Sequence, residues 1–192
     1  MTTDTRQSIM DEAKLVVQAH GYSALSFREL AKTVGIKNAS VHYHFPTKGD
    51  LGAALARQYS DEAQAFLDSL PLDADAAAQT MKTYTDAFRA ALERDNRMCL
   101  CGIMIAERDE LPEMVRGEVD RFTEINVQWL KSFLEALTPQ AGASEITDRA
   151  VAIFSAVEGA QLIARGCADV KVFDRCMNAY GATALFPVWP SK

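Results

Sequence analysis

Residues 26–51 read SFRELAKTVGIKNASVHYHFPTKGDL, and the fold turns on how this stretch is parsed. Ser26 followed three residues later by Glu29 has the spacing of a capping box, and Leu25 and Leu30 stand where a hydrophobic staple would. A helix is therefore predicted from about Phe27 to Thr33, with Leu30, Ala31 and Val34 facing inward. Gly35 ends it. Helical patterning resumes from about Asn38 to Tyr43. Two short helices joined by a tight, glycine-containing turn form a helix-turn-helix, whose second helix enters the DNA major groove. Such a helix needs a short apolar face, here Ala39 and Val41, and a second face of donors and acceptors. Lys37, Asn38, Ser40, His42, Tyr43 and His44 supply that second face.

Working outward, Ile9, Ala13, Val16, Val17 and His20 share one helical stripe, and Gly21 is a stop for this first helix. After the helix-turn-helix, Thr47 and Asp50 form a second capping box, which makes Lys48 the first residue of a fourth helix and a candidate phosphate clamp. That helix runs from 47 to about 69. The next carries Met81, Tyr84, Phe88 and Leu92. A short helix follows from about Met98 to Arg108. A long one starts near Pro112, ends before Pro139, and carries Val115, Val119, Phe122, Ile125, Trp129 and Phe133. The last two span about 145–165 and 170–186, with Asp169 capping the final one. Nothing alternates over strand length, so the chain reads as all-α: residues 1–47 a three-helix head, residues 48–192 a helical body.

Charge supports that division. The 192-residue chain has a net charge of −6, which argues against nucleic acid if read as an average. Residues 1–50, however, carry +1 and all three histidines, whereas residues 51–192 carry −7. No apolar run approaches the roughly 20 residues of a membrane span, and the polar opening MTTDTRQSIMDEAK has no signal-peptide core. These features predict a cytoplasmic protein with no membrane association. The four cysteines, Cys99, Cys101, Cys167 and Cys176, are then expected as thiols.

The segment GYSALSFRELAKTVGIKNASVHYHFPTKGDL, residues 21–51, resembles the DNA-binding head of the TetR/AcrR family of bacterial repressors. Gly21, the Ser26–Glu29 box, Leu30-Ala31, Gly35, Tyr43-His44-Phe45, Lys48 and Leu51 carry the match. The resemblance implies a homodimer on a palindromic, double-stranded operator, released when a small-molecule effector binds the body. It places Arg28, Lys37, Asn38, Ser40, His42, Tyr43, His44 and Lys48 near DNA. His42 stands where the family usually has tyrosine, which leaves open whether His42 or Tyr43 reads a base. It also implies an effector pocket among the middle helices, with Tyr84, Phe88, Met98, Met104, Phe122, Ile125, Trp129 and Phe154 as candidate walls and Tyr84, Asn126 or Gln161 as polar anchors. The last two helices look like the family's dimerisation pair, with Gly159 and Ala160 allowing close approach and Ile163, Phe173, Met177 and Tyr180 giving apolar area.

Cys99 is a further candidate. Asn96 is expected to cap the short helix and put Cys99 in its first turn, where the helix N-terminus, Arg94 and Arg97 favour a thiolate able to react with an electrophilic effector. The competing reading is a small buried hydrophobe. Cys167 and Cys176 read as structural. His42 and His44 lie two apart on a helix, diverge, and have no nearby Cys or carboxylate to complete a metal site. No nucleophile elbow, phosphate loop, metal or cofactor motif appears, and all histidines lie in the head, so no enzyme and no cofactor are expected. The alternative to a ligand-responsive repressor is a DNA-binding architectural or adaptor protein with no effector.

Overall fold

The computed structural model describes residues 4–190. These are helical, with helices α1 (Thr5–His20), α2 (Phe27–Val34), α3 (Asn38–His44), α4 (Lys48–Asp68), α5 (Ala77–Glu93), α6 (Leu100–Ala106), α7 (Glu113–Leu137), α8 (Ala143–Gly166) and α9 (Val170–Ala182). Short 3-10 turns at Tyr22–Ala24 and Arg108–Glu110 follow α1 and α6. Two compact units emerge. The first holds the residues up to Glu62 together with Cys99–Phe122, and the second holds Ala63–Met98 with the residues from Thr123 on.

In the first unit the local signals act as the sequence suggests. The Ser26 side chain accepts from Glu29 N at 3.5 Å. Gly35 closes α2 in the left-handed region at φ 76°, donating its N–H to Ala31 and Lys32 carbonyls. Thr47 and Asp50 cap α4 reciprocally, with Thr47 N to Asp50 Oδ2 at 2.9 Å and Asp50 N to Thr47 Oγ1 at 3.1 Å. Ile9, Ala13, Val17, Leu30, Ala31, Val41, Phe45 and Leu51 are buried and form the core around which α1, α2 and α3 pack. Each large side chain fully buried there contributes roughly 1.5–3 kcal/mol. Val34 is only half-buried and His20 is exposed, so both stripes are narrower than the pattern suggested.

In the second unit Met81, Tyr84, Phe88 and Leu92 of α5 are buried, as are Trp129, Leu130, Phe133 and Leu134 of α7. Tyr84, Trp129 and Phe133 form a near-parallel stack, with centroid spacings of 5.0 and 5.4 Å. From α8, Ile153, Phe154, Val157, Ala160 and Ala164 complete the interior. Helix α9 starts at Asp169, whose side chain accepts from Lys171 N at 2.9 Å, and stops at Ala182, four residues short of the expected end. Beyond it Phe186 is buried, and Arg149 donates to the Ala184 carbonyl at 2.8 Å.

Candidate nucleic-acid interface and helical body

Helix α3 is held by one buried side chain, Val41. Ala39, assigned above to the inward face, is exposed. In a seven-residue helix capped by Lys37, positions 38, 39, 42 and 43 fall on the outer side, so Ala39 joins Asn38, His42 and Tyr43 there. Ser40 and His44 are half-buried, while Arg28 and Lys37 are exposed. Tyr43 is 83% exposed, an extreme value for a large aromatic. The two rings that the sequence left unresolved differ in freedom. His42 packs edge-on against Phe27 at 4.9 Å, with its Nδ1 3.4 Å from the Pro46 carbonyl. Tyr43 touches the edge of His44 at 5.2 Å and otherwise projects outward.

Lys48 begins α4 beside this surface. Its Nζ donates to the Ser23 carbonyl at 2.9 Å and sits 4.6 Å from the centre of the Tyr22 ring. Burial lowers its pKa below the ordinary lysine value, and the charges of Glu107 and Glu110 act in the opposite sense. Glu107, at the end of α6, accepts a hydrogen bond from the Tyr22 amide. Gly21, which turns the chain here at φ 87°, has no room for a side chain, because a Cβ would lie 2.6 Å from the Glu107 carboxylate. A Cβ on Gly52 would likewise lie 2.6 Å from the Tyr22 ring.

Residues 9–55 match the family model described as bacterial regulatory proteins, tetR family. A curated relative, the HTH-type transcriptional repressor LfrR of Mycolicibacterium smegmatis, is 36% identical over 75 residues, which are 36% of this chain and 39% of that repressor's length. The chain thus spans about two fifths of that relative. Among solved structures, a TetR transcriptional regulator from Legionella pneumophila has a TM-score of 0.84 and 31% identity, covering 95% of this chain and 99% of that one. The chain belongs to the TetR family. A TetR-family regulator from Agrobacterium tumefaciens is also similar, with 26% identity, a TM-score of 0.84, and coverage of 97% and 98% of the two chains. TetR-family members are DNA-binding regulators, not enzymes.

In this TetR-family chain the candidate wall residues divide between the units. Tyr84, Phe88, Met98, Trp129 and Phe154 are buried in the second, with Ile125 half-buried. Cys99, Met104 and Phe122 are buried in the first. Of the polar anchors, Tyr84 OH donates to Asn126 Oδ1 at 3.3 Å and Gln161 Nε2 donates to the Phe88 carbonyl at 2.6 Å. An open cleft of about 370 Å3 lies between Lys82, Thr85, Asp86 and Arg89 of α5 and Phe173, Asp174 and Met177 of α9. Arg89 and Asp174 bridge it, with Nε to Oδ1 at 2.7 Å.

Cys99 is 1% exposed, and it caps α6 itself, its Sγ accepting from Gly102 N at 3.4 Å. Asn96 does not cap α6. It adopts the left-handed conformation at φ 54°, which Asn tolerates well, and its side chain donates to the Arg165 carbonyl at 3.0 Å. Cys101 is also buried, Cys176 half-buried and Cys167 exposed.

The dimer candidates separate by face. Phe173 and Met177 are 1% and 3% exposed and pack inside the subunit, as does Ala160. Tyr180 is half-buried, edge-on to Phe186 at 5.7 Å. Gly159 and Ile163 lie on the outer side of α8 with Val151 and Leu162, at exposures of 57% for Ile163, 47% for Val151 and 52% for Leu162. Among the described residues no helix is long and apolar enough to cross a membrane, and no three His, Cys, Asp or Glu side chains are grouped to hold a metal ion.

Proposed function

We propose that this TetR-family protein is a ligand-responsive transcriptional repressor that binds a palindromic operator as a homodimer. The observation that carries the reading is the outer face of α3, where a largely free Tyr43 stands beside Asn38 and His42 on a helix held by a single buried residue. A folded protein gains little by presenting an aromatic ring to water, whereas a major-groove helix needs reach and hydrogen-bonding groups. Tyr43, Asn38 and Ser40 read base edges. His42, tethered to Phe27 and Pro46, orients the helix. Arg28, Lys37, His44 and Lys48 face the phosphates, fixing register without sequence content. The exposed apolar stripe of α8, Val151, Gly159, Leu162 and Ile163, pairs with its two-fold copy, placing two α3 helices in successive major grooves about 34–36 Å apart. Residues 1–47 form the DNA-binding part and 48–192 the effector and dimer part, with the effector seated among Tyr84, Phe88, Met98, Ile125, Trp129 and Phe154. An effector favouring one body conformation shifts the population away from the operator-competent pose.

The test is a gel-shift titration on DNA upstream of the protein's own gene. Tyr43→Ala is expected to relax sequence preference. Lys48→Ala is expected to weaken binding to all sequences and to reduce the salt slope by about 1. Adding a thiol-reactive electrophile to wild type and to Cys99→Ser separates a covalent effector, which releases DNA only from wild type, from a reversible one. Saturable operator binding that no small molecule relieves would favour an architectural protein, and absence of specific binding would sink the reading.

A further inference from the structure

We propose that Glu107 is a positioning residue for operator binding, a latch that fixes the pose of the helix-turn-helix on α4 and α6. This rests on the two-headed repressor reading above. Glu107 follows the last residue of α6, and its carboxylate crosses 85 residues of sequence to accept the Tyr22 amide hydrogen, with the Ser23 nitrogen 3.4 Å from each of its oxygens. These amides open a 3-10 turn and have no partner within that turn, so a carboxylate is their charge-assisted acceptor. The same corner is gripped from its other side by Lys48 Nζ on the Ser23 carbonyl at 2.9 Å. Gly21 and Gly52 keep the corner free of side chains, letting the carboxylate and the Tyr22 ring seat directly on backbone.

The corner connects α1 to α2, so its displacement tilts α2 and α3 as a body. The core of the head does not need Glu107, because Ile9, Ala13, Val17, Leu30, Ala31 and Val41 come from α1, α2 and α3 alone. Within that three-helix unit the carboxylate touches only the amides of the 3-10 turn. What the contact adds is a defined angle between the head and the helices behind it. One head on one half-site is insensitive to that angle. Two heads on one palindrome depend on it, since a head held loosely must be ordered at the moment of joint binding.

The test uses the duplex that wild-type protein selects from a random pool, its isolated half-site, and the same palindrome with one base pair inserted at its centre. Glu107→Ala is expected to leave half-site affinity within about twofold, to weaken the full palindrome about tenfold, and to flatten the penalty for the inserted base pair. Glu107→Gln, which keeps one acceptor oxygen, should fall between the two. Parallel loss on half-site and palindrome would reduce Glu107 to a folding role and overturn the proposal, as would an unchanged spacing penalty. Wild type that shows no spacing penalty would sink the two-headed reading itself, and the latch with it. Should Glu107→Ala lack a cooperative thermal melt, the Glu107→Gln variant decides alone: a spacing penalty smaller than wild type supports the latch, and an unchanged one overturns it.

Discussion

Replacing Leu162 and Ile163 of α8 by serine should convert the protein to a monomer. The two side chains are 52% and 57% exposed, so their own subunit covers rather less than half of each. Fully burying a Leu or Ile side chain is worth about 1.5–3 kcal/mol, and these two retain about half of that, roughly 1 kcal/mol each, for a partner. A two-fold interface uses every residue twice. The double substitution therefore removes roughly 4 kcal/mol of association, about a thousandfold in Kd. Sedimentation equilibrium at micromolar protein reads this directly. The covered part of each side chain makes the monomer's melt fall by a few degrees while it stays cooperative. A variant that associates with wild-type Kd would refute the assignment of the α8 face, and a variant that loses its cooperative melt would show that these side chains support the subunit itself.

Two smaller perturbations follow from the packing. Gly52→Ala puts a Cβ 2.6 Å from the Tyr22 ring and 3.2 Å from Val115, so overpacking should cost about 1–3 kcal/mol and lower the midpoint of thermal unfolding by a few degrees; an unchanged melt would mean that the Tyr22 ring yields freely. In the folded protein, N-ethylmaleimide should modify exposed Cys167 first and leave Cys99 protected, as peptide mass spectrometry would show. Equal labelling rates at the two would mean that α6 opens readily, and would strengthen the case for a covalent effector at Cys99.

The head was legible because its instructions are local. Ser26, Gly35 and the Thr47–Asp50 pair act on backbone within three or four residues, and sequence spacing alone conveys that. Gly21 was legible only by half. Its role as a stop is local, but its second role, leaving room for a carboxylate, depends on Glu107, 86 positions away, for which no spacing rule exists. The cap of α6 departs from the local signals for a related reason. Asn is a far better N-cap than Cys by preference, yet the chain spends Asn96 on a left-handed turn and on the Arg165 carbonyl, leaving Cys99 to close the helix.

The division of α8 and α9 follows from a different limit. Periodicity reports that a helix has apolar faces, but not which of them is covered by the same chain. Phe173 and Met177 are the larger residues, and the second unit takes them into its interior, whereas Leu162 and Ile163 are left outside with Gly159 between them and Val151. Burying a stripe of that composition would be favourable, and among the described residues none covers it. The α8 face and Tyr43 on α3 are among the places where large apolar side chains meet water, and Met114 of α7, at 50% exposure, is another. Such departures are expected where a surface is shaped by a partner, and under the proposed function that partner is a second copy for the α8 face and DNA for α3.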